Sequence, residues 1–279
     1  IMSSVALGTI ITMTSSHWLL AWIGLELNTL AIVPIIAKQH HPRATEATTK
    51  YFLTQAAASA LVLFASTTNA WSTGTWDISQ LTDRHACALL TAALAMKLGL
   101  APLHFWLPEV LQGTSTKTAL IIATWQKLAP AALLYMVHSS IIPTILLAMA
   151  VFSTMTGGWG GLNQTQTRKI MAFSSIAHLG WMAGILTLNP NIMLLNLTLY
   201  VIMTAPMFLM LMFSSAKTVK DLTTSWTISP PTTALMLLLL MSMGGLPPMT
   251  GFMPKWLILQ ELTTHGLTTT TTILAMSAL

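Results

Sequence analysis

Charge is the scarcest feature of this sequence. Only 7% of its 279 residues are Asp, Glu, Lys or Arg, whereas soluble domains carry about 25%. So few charges cannot cover a globular surface, while 54% of the residues are hydrophobic and the mean hydropathy is +0.70. Most of the exterior must therefore face lipid, which makes the chain a polytopic helical membrane protein.

Cysteine is almost absent, and Cys87 has no partner in the chain. This excludes an intrachain disulfide and any zinc or iron–sulfur site built from several cysteines. The phosphate-binding and dinucleotide-binding glycine patterns and the nucleophile elbow are missing, and no histidines spaced i, i+4 could hold a haem or a metal. We therefore expect no cofactor and no metal on this chain. Without a basic stripe or an aromatic platform, we also expect no nucleic-acid partner.

Apolar segments divide the sequence into about eleven predicted helices, most of them close to the roughly 20 residues that span a bilayer core. The connections are short, and the longest, 69–85 and 214–230, do not resemble soluble domains. The prediction is one all-α transmembrane bundle over 1–279. Because the first and last segments look incomplete, we expect both ends to be truncated. The segments lie at roughly 1–13, 18–37, 47–68, 86–107, 118–138, 142–161, 170–187, 191–213, 231–246, 252–263 and 268–279.

Basic residues concentrate in alternate loops. If successive helices reverse direction, the loops at 38–46, 108–117, 162–169 and 214–230 share one side of the membrane. The opposite loops hold only Arg84 as a basic residue. The positive-inside rule predicts that the four basic loops face the cytoplasm or its equivalent, the mitochondrial matrix. Their basic residues are Lys38, Arg43, Lys117, Arg168, Lys169, Lys217 and Lys220.

Apart from Lys50 near the start of one apolar segment and Glu261 near the end of another, four charged residues lie inside these segments: Glu26, Lys97, Lys127 and Lys255. Lys97 lies roughly 15 Å from either interface at about 1.5 Å per helical residue. That depth exceeds the ~6 Å that a lysine side chain can snorkel. An interfacial anchor is the alternative at each position, and it is strongest for Lys255, which follows Pro254 near a helix start. Intramembrane ionisable residues are costly and mark ion pathways or proton relays.

Prolines accompany these charges. Pro102 and Pro130 each remove a backbone hydrogen bond within a turn of a lysine. Such breaks persist in membranes only where protein or a hydrated cavity satisfies the freed groups. Pro206 has no charged neighbour, and we expect only a kink there.

The first break is echoed later in the chain. Residues 99–108, GLAPLHFWLP, and 245–254, GLPPMTGFMP, share a glycine, a leucine and two prolines. Each block adjoins one of the buried lysines. Gly/Pro interruptions at corresponding positions of two halves predict a transporter built from structural repeats, with Pro247 and Pro248 breaking the second helix.

His178 lies about eight residues into the 170–187 segment, near its middle. It is either a neutral imidazole bonded to a backbone carbonyl or a proton relay, because imidazole changes charge near neutral pH. The residues alone leave both open. His104, beside two aromatic residues, and the carboxylates Glu109 and Glu261 are more typical of membrane interfaces.

Several stretches together resemble the antiporter-like membrane-arm subunits of mitochondrial NADH:ubiquinone oxidoreductase, respiratory complex I. The similarity runs along the whole chain and includes the helix around Lys127. The stretches that carry it are WIGLELNTLAI (22–32), HHPRATEATTKYFLTQAAAS (40–59), KLGLAPLHFWLPEVLQG (97–113), SSIAHLGWM (174–182) and GGLPPMTGFMPKW (244–256).

The resemblance implies two inverted five-helix repeats, each with a broken helix, around a buried axis that translocates protons. Glu26 would be the acidic residue of the first repeat, and Lys97 and Lys255 the lysines of the two broken helices. Lys127 would be the central lysine and His178 a histidine on the axis. NADH, FMN, iron–sulfur clusters and ubiquinone would bind elsewhere in the complex. The partners would be neighbouring antiporter-like subunits in the mitochondrial inner membrane.

Two alternatives use the same residues. The chain could be a self-standing cation/proton antiporter, or a structural subunit whose buried charges hold partners together without pumping. A quinone-binding redox subunit is disfavoured because the sequence contains no cofactor motif.

Overall fold

The computed structural model describes residues 1–38 and 40–277. Gln39, in the predicted loop 38–46, lies outside the described residues. So do Ala278 and Leu279, at the end of the predicted segment 268–279.

Helices make up the regular structure of the described ranges, apart from two isolated β-bridges, and this confirms the all-α prediction. A 3-10 turn, Trp125–Lys127, connects the sixth and seventh helices. In chain order the helices are α1 (Met2–Thr14), α2 (Trp18–Ala37), α3 (Pro42–Thr73), α4 (Arg84–Leu98), α5 (Trp106–Gly113), α6 (Thr116–Ala123), α7 (Leu128–Met136), α8 (Pro143–Leu162), α9 (Thr167–Leu186), α10 (Pro190–Ser214), α11 (Val219–Ile228), α12 (Pro230–Gly244), α13 (Phe252–Thr264) and α14 (Thr268–Ser277).

Six spans of the described chain are long and apolar enough to cross a membrane. They are α2, α3, α8, α9, α10 and the stretch Thr116–Met136, which contains α6 and α7. A length of about 20 apolar residues matches the hydrocarbon thickness of a bilayer. The chain is therefore a helical membrane protein.

Polar residues just before the apolar runs start several helices. The His41 imidazole accepts a backbone N–H of the first turn of α3, which begins with Pro42, a position that needs no N–H donor. The Asp83 carboxylate accepts two backbone N–H groups at the start of α4. At the other end of α3, Gly74 adopts the left-handed conformation that commonly terminates helices.

The chain forms two compact units. Unit 1 comprises residues 1–114 and 125–146, and unit 2 comprises 115–124 and 147–279. The central stretch is thus divided between them, with α6 in unit 2 and α7 in unit 1. The single transmembrane domain predicted over 1–279 stays a prediction.

In unit 1, α3 packs against α2, α4 and α5, while α1 packs against α2 and α7. Gly8 and Gly24 allow α1 and α2 to approach closely, since a Cβ added to Gly8 would lie 2.8 Å from the Gly24 carbonyl oxygen. Such small residues are typical of helix contacts in membranes, where backbone packing replaces the hydrophobic effect. In unit 2, α10 is the central helix and packs against α6, α9, α12 and α13.

Three stretches differ from the helices expected from the sequence. The predicted loop 214–230 contains α11, which is too polar to form an apolar segment in the sequence. The predicted helix 86–107 ends at Leu98, and a separate helix, α5, extends into the predicted loop 108–117. Near Pro130 the helix is interrupted just upstream, at the 3-10 turn, so this proline lies in the first turn of α7. By contrast, α10 continues through Pro206.

Candidate functional site

The two sequence echoes form helix breaks with the same backbone. α4 ends before Gly99 (φ +84°) and α12 before Gly245 (φ +76°), and each glycine donates its N–H to carbonyls of the preceding turn. Only glycine adopts this left-handed conformation without a steric cost. A cis peptide bond follows at Ala101–Pro102 and at Pro247–Pro248. The chain then enters α5 in unit 1 and α13 in unit 2.

Different side chains satisfy the carbonyls exposed at the two breaks. In unit 1 the Trp106 indole Nε1 donates to the Met96 carbonyl oxygen at 3.0 Å. In unit 2 the Lys255 Nζ donates to the Gly244 carbonyl oxygen at 2.7 Å. Both bonds meet the requirement that backbone groups freed within a membrane find a partner. As a result, Lys255 is attached to its break and Lys97 is not.

Unit 1 contains three of the charged residues that were predicted from the sequence. Lys97 lies in the last turn of α4 and is 5% exposed, and Lys127 ends the 3-10 turn and is 3% exposed. Glu26, half-buried on α2, lies within electrostatic range of Lys97. In the described chain neither Lys97 Nζ nor one carboxylate oxygen of Glu26 has a hydrogen-bond partner, although both are buried. Groups of this kind are costly to bury and are retained for function in membranes.

A small cavity adjoins Lys97. It has a volume of about 10 Å³, close to the space one water molecule needs, and Asn28, Tyr51 and Gln126 are among the residues that line it. The Gln126 amide donates to the Tyr51 hydroxyl at 2.5 Å and to the Asn28 carbonyl oxygen at 3.4 Å. The Asn28 side chain, 2% exposed, has neither its amide nitrogen nor its oxygen bonded within the described protein.

These three polar residues were not expected from the sequence. Leu25, Asn28 and Thr29 line the cavity from α2 at helical i, i+3, i+4 spacing, and Tyr51 and Gln55 do so from α3 at i, i+4. Polar residues that recur on one face of an apolar helix were therefore the sequence feature that could have predicted this cavity lining. Gln126 offered none except its place beside Lys127.

Unit 2 brings together the other two predicted residues. His178, 5% exposed on α9, and Lys255 on α13 line the same cavity of about 290 Å³, together with Ser174 and Trp181. The His178 ring lies 5.5 Å from the ring of Tyr200, centroid to centroid. An imidazole and an amine that face one cavity can both exchange protons with its contents.

The remaining candidates are distributed around these sites. His104 is buried within the first break, not exposed at a helix end, and its ring lies 4.4 Å from that of Phe105. Glu109 is exposed and forms an ion pair of 2.7 Å with Lys50. Glu261 accepts a hydrogen bond from Asn189 at 3.4 Å. Across the described ranges, no group of three or more His, Cys, Asp or Glu residues is placed to hold a metal ion.

The sequence matches the protein family described as "NADH:quinone oxidoreductase/Mrp antiporter, TM" over residues 15–279. The chain belongs to this family. It is therefore an antiporter-like membrane subunit, and the resemblance noted in the sequence is confirmed.

Relatives within the family are similar along the whole of this chain. The NADH-ubiquinone oxidoreductase chain 2 of Salmo salar is 62% identical over 279 residues, which is all of this chain and 80% of the relative. The protein of the same name from Xenopus laevis is 59% identical, with 100% and 81% covered.

Solved structures of antiporter-like complexes share the fold. A chain of respiratory complex I from Thermus thermophilus superposes with a TM-score of 0.91 at 30% identity, covering 99% of this chain and 65% of that one. A chain of the Mrp complex from Dietzia sp. DQ12-45-1b, 17% identical with a TM-score of 0.86, covers 99% of this chain and 56% of that one and shows a likeness of fold alone.

Proposed function

We propose that this chain is a core membrane-arm subunit of NADH:ubiquinone oxidoreductase that translocates protons across the mitochondrial inner membrane. Electron transfer from NADH to ubiquinone, elsewhere in the complex, supplies the energy. The chain itself carries no redox cofactor in this proposal, because NADH, FMN, the iron–sulfur clusters and ubiquinone bind to other subunits. Neighbouring antiporter-like subunits are its partners.

One observation carries the proposal: two buried lysines lie next to interruptions of the helical backbone in the same unit. Lys97 is 5% exposed and Lys127 is 3% exposed, and a lysine in a bilayer core costs about 2.5–3.5 kcal/mol even by insertion scales. Packing alone does not need such residues. A site that takes up and releases a proton does.

Glu26 controls Lys97 in this mechanism. An ionised carboxylate stabilises the ammonium form of a nearby lysine, while burial favours the neutral amine. Movement of Glu26 away from Lys97, or arrival of a proton at Lys127, favours release of the Lys97 proton. Buried groups coupled in this way titrate as a set. Moving one charge against the membrane potential takes about 2.3 kcal/mol per 100 mV, a size that a change of a buried ion pair can supply.

Tyr51 and Gln126 offer a route from Lys97 towards Lys127. The Tyr51 oxygen accepts a hydrogen bond from Gln126, so its own O–H proton is available to another acceptor. The water-sized cavity places Tyr51, Gln126 and Lys97 around one space. In unit 2, His178 and Lys255 share the second cavity and continue the same function there.

Replacing Lys97 with Met tests the role of this residue in the assembled enzyme reconstituted into liposomes. We expect the complex to assemble and to lose proton translocation, measured as NADH-driven acidification with a pH-sensitive dye. Lys38→Met, which removes an exposed loop lysine, is the matched control and keeps full translocation. Full pumping by an assembled Lys97→Met enzyme would rule out the role.

The alternatives predict other outcomes. A self-standing antiporter would exchange cations for protons when the isolated chain is reconstituted, and we expect no such activity because the chain has no energy source of its own. A purely structural subunit would respond to Lys97→Met by failing to assemble. Photolabelling of this chain by a quinone probe would instead support a quinone-binding role.

A further inference from the structure

A β-bridge in unit 2 joins the loop before α9 to the loop before α11. Gln166 pairs with Thr218. The Thr167 N–H donates to the Lys217 carbonyl oxygen at 3.2 Å, and the Val219 N–H donates to the Thr165 carbonyl oxygen at 3.0 Å. The first turns of α9 and α11 are therefore fixed side by side.

This bridge gathers basic residues from two separate parts of the sequence. Arg168 and Lys169 follow the bridged residue Gln166, and Lys217 and Lys220 flank its partner Thr218. We call these four residues the basic patch. Lys169, Lys217 and Lys220 form no ion pair with a carboxylate in the described parts of the chain. Their charge is available to an external partner.

The carboxylate next to the patch in the sequence is already engaged. Asp221 accepts backbone N–H groups of Thr218 at 2.8 Å and Lys217 at 3.0 Å, and it completes a capping box at the start of α11. These hydrogen bonds, with the attraction of Lys217, hold the pKa of the Asp221 carboxyl below its usual range. Four basic residues against one acidic residue leave the patch with a net charge of +3. No other Asp or Glu occurs between Glu109 and Glu261.

α11 lies beside the patch and is amphipathic. Ser225 is buried against the protein, whereas Val219 and Trp226, seven residues apart and so on one helical face, are 41% and 52% exposed. Because α11 connects α10 to α12, it lies where two apolar helices end. Tryptophan is enriched at that depth, where its ring meets the headgroup region of a bilayer.

We propose that the basic patch and Trp226 form a binding site for the headgroup of an anionic phospholipid. The lysines attract the phosphate, and Val219 and Trp226 contact the upper part of the acyl chains. Basic residues beside an amphipathic helix are the usual components of such sites. The exposed apolar face of α11 lies at the depth of the membrane interface. A lipid would contact this face, whereas binding of a soluble protein would not require it, so lipid is favoured as the occupant.

Native mass spectrometry of the full chain in detergent tests the proposal, with phosphatidylglycerol or phosphatidylcholine titrated in. Wild type should bind phosphatidylglycerol more tightly than phosphatidylcholine. A lysine near an anionic surface strengthens binding about fivefold, so the double variant Lys217→Gln with Lys220→Gln should weaken phosphatidylglycerol binding about 25-fold. The matched control, Lys38→Gln with Lys117→Gln, removes two exposed lysines elsewhere and should bind like wild type.

Further arms separate the alternatives. Excess inorganic phosphate should compete poorly if the acyl chains contribute, and Trp226→Ala should weaken binding while Trp226→Phe retains it. Equal loss in the patch and control variants, or no preference for phosphatidylglycerol in the wild type, would overturn the proposal. So would strong competition by phosphate alone. Normal lipid binding of patch variants that fail to join the assembled complex would point to a protein partner instead.

Discussion

Lys97 and Lys255 lie beside equivalent helix breaks and yet have different surroundings. Lys255 donates a hydrogen bond to the Gly244 carbonyl oxygen. In unit 1 the Trp106 indole donates to the Met96 carbonyl oxygen instead, and Lys97 Nζ has no hydrogen-bond partner in the described chain. Lys97 is thus free to respond to Glu26. If the proposed mechanism holds, Lys97 is the more sensitive of the two to the charge of its neighbours.

Tyr51→Phe tests the proposed route at a single atom. The change deletes the hydroxyl that accepts from Gln126 and leaves the ring in place. Loss of a proton-transfer group slows a reaction by about 100-fold or more, so NADH-driven proton translocation in liposomes should fall by at least that order. Tyr135→Phe is the control, because it deletes a hydroxyl from α7 with no effect on the cavity lining. Equal pumping by both variants would remove Tyr51 from the route.

Single residues were predictable only where composition made them unusual. A lysine in an apolar run is conspicuous, and the structure buries Lys97 and Lys127 as expected. Asn28, Tyr51 and Gln126 are ordinary residues in a membrane helix until α2, α3 and the 3-10 turn bring them to one cavity. Their importance depends on tertiary contacts, which no local pattern records.

Alanine substitutions of the glycines at the two helix breaks compare the stability of the two breaks. Gly245→Ala puts a methyl group 2.7 Å from Lys255 Nζ at a left-handed backbone position, while Gly99→Ala meets nothing closer than 3.5 Å. Both variants should lose about 1 kcal/mol of stability from the backbone conformation, and Gly245→Ala should lose more because Lys255 must move. Gly244→Ala has open space and no positive φ.

Thermal unfolding of the full chain in detergent measures these differences. The expected order of melting temperature is Gly244→Ala highest, then Gly99→Ala, then Gly245→Ala. A Gly245→Ala chain as stable as the Gly99→Ala chain would show that the contact between Lys255 and the break contributes nothing.

Elements were predictable where apolar length marked them and uncertain where it did not. The starts and ends of α2 and α9 agree with the sequence to within a few residues. α11 was missed because VKDLTTSWTI is too polar for a transmembrane search, although Thr218 and Asp221 are spaced as a capping box. This capping box, which starts helices in soluble proteins as well, was the sequence feature that could have predicted α11.

At the scale of the molecule, the sequence echo indicated two repeats, and the two breaks share their backbone geometry. The two units are not continuous in the sequence, because residues 115–124 belong to unit 2 and 125–146 to unit 1. Nothing in the sequence of that stretch marks the division. Tertiary contacts determine the division into units, and the periodicity of the sequence carries no information about those contacts.

The side of the membrane that each loop faces is predicted from charge alone. Single cysteines test it, in a background where the buried Cys87 is replaced by Ser. Lys38→Cys and Lys117→Cys should react with a membrane-impermeant maleimide added to one face of sealed vesicles, and Gln80→Cys only with reagent added to the other face. All three positions are exposed, so failure to react reflects the membrane and not burial. One set of loops contains seven basic residues and the other contains only Arg84. Insertion in the opposite orientation is therefore unfavourable. Labelling of Lys38→Cys and Gln80→Cys from the same face would mean that α3 does not cross the bilayer, and the helix count would have to be revised.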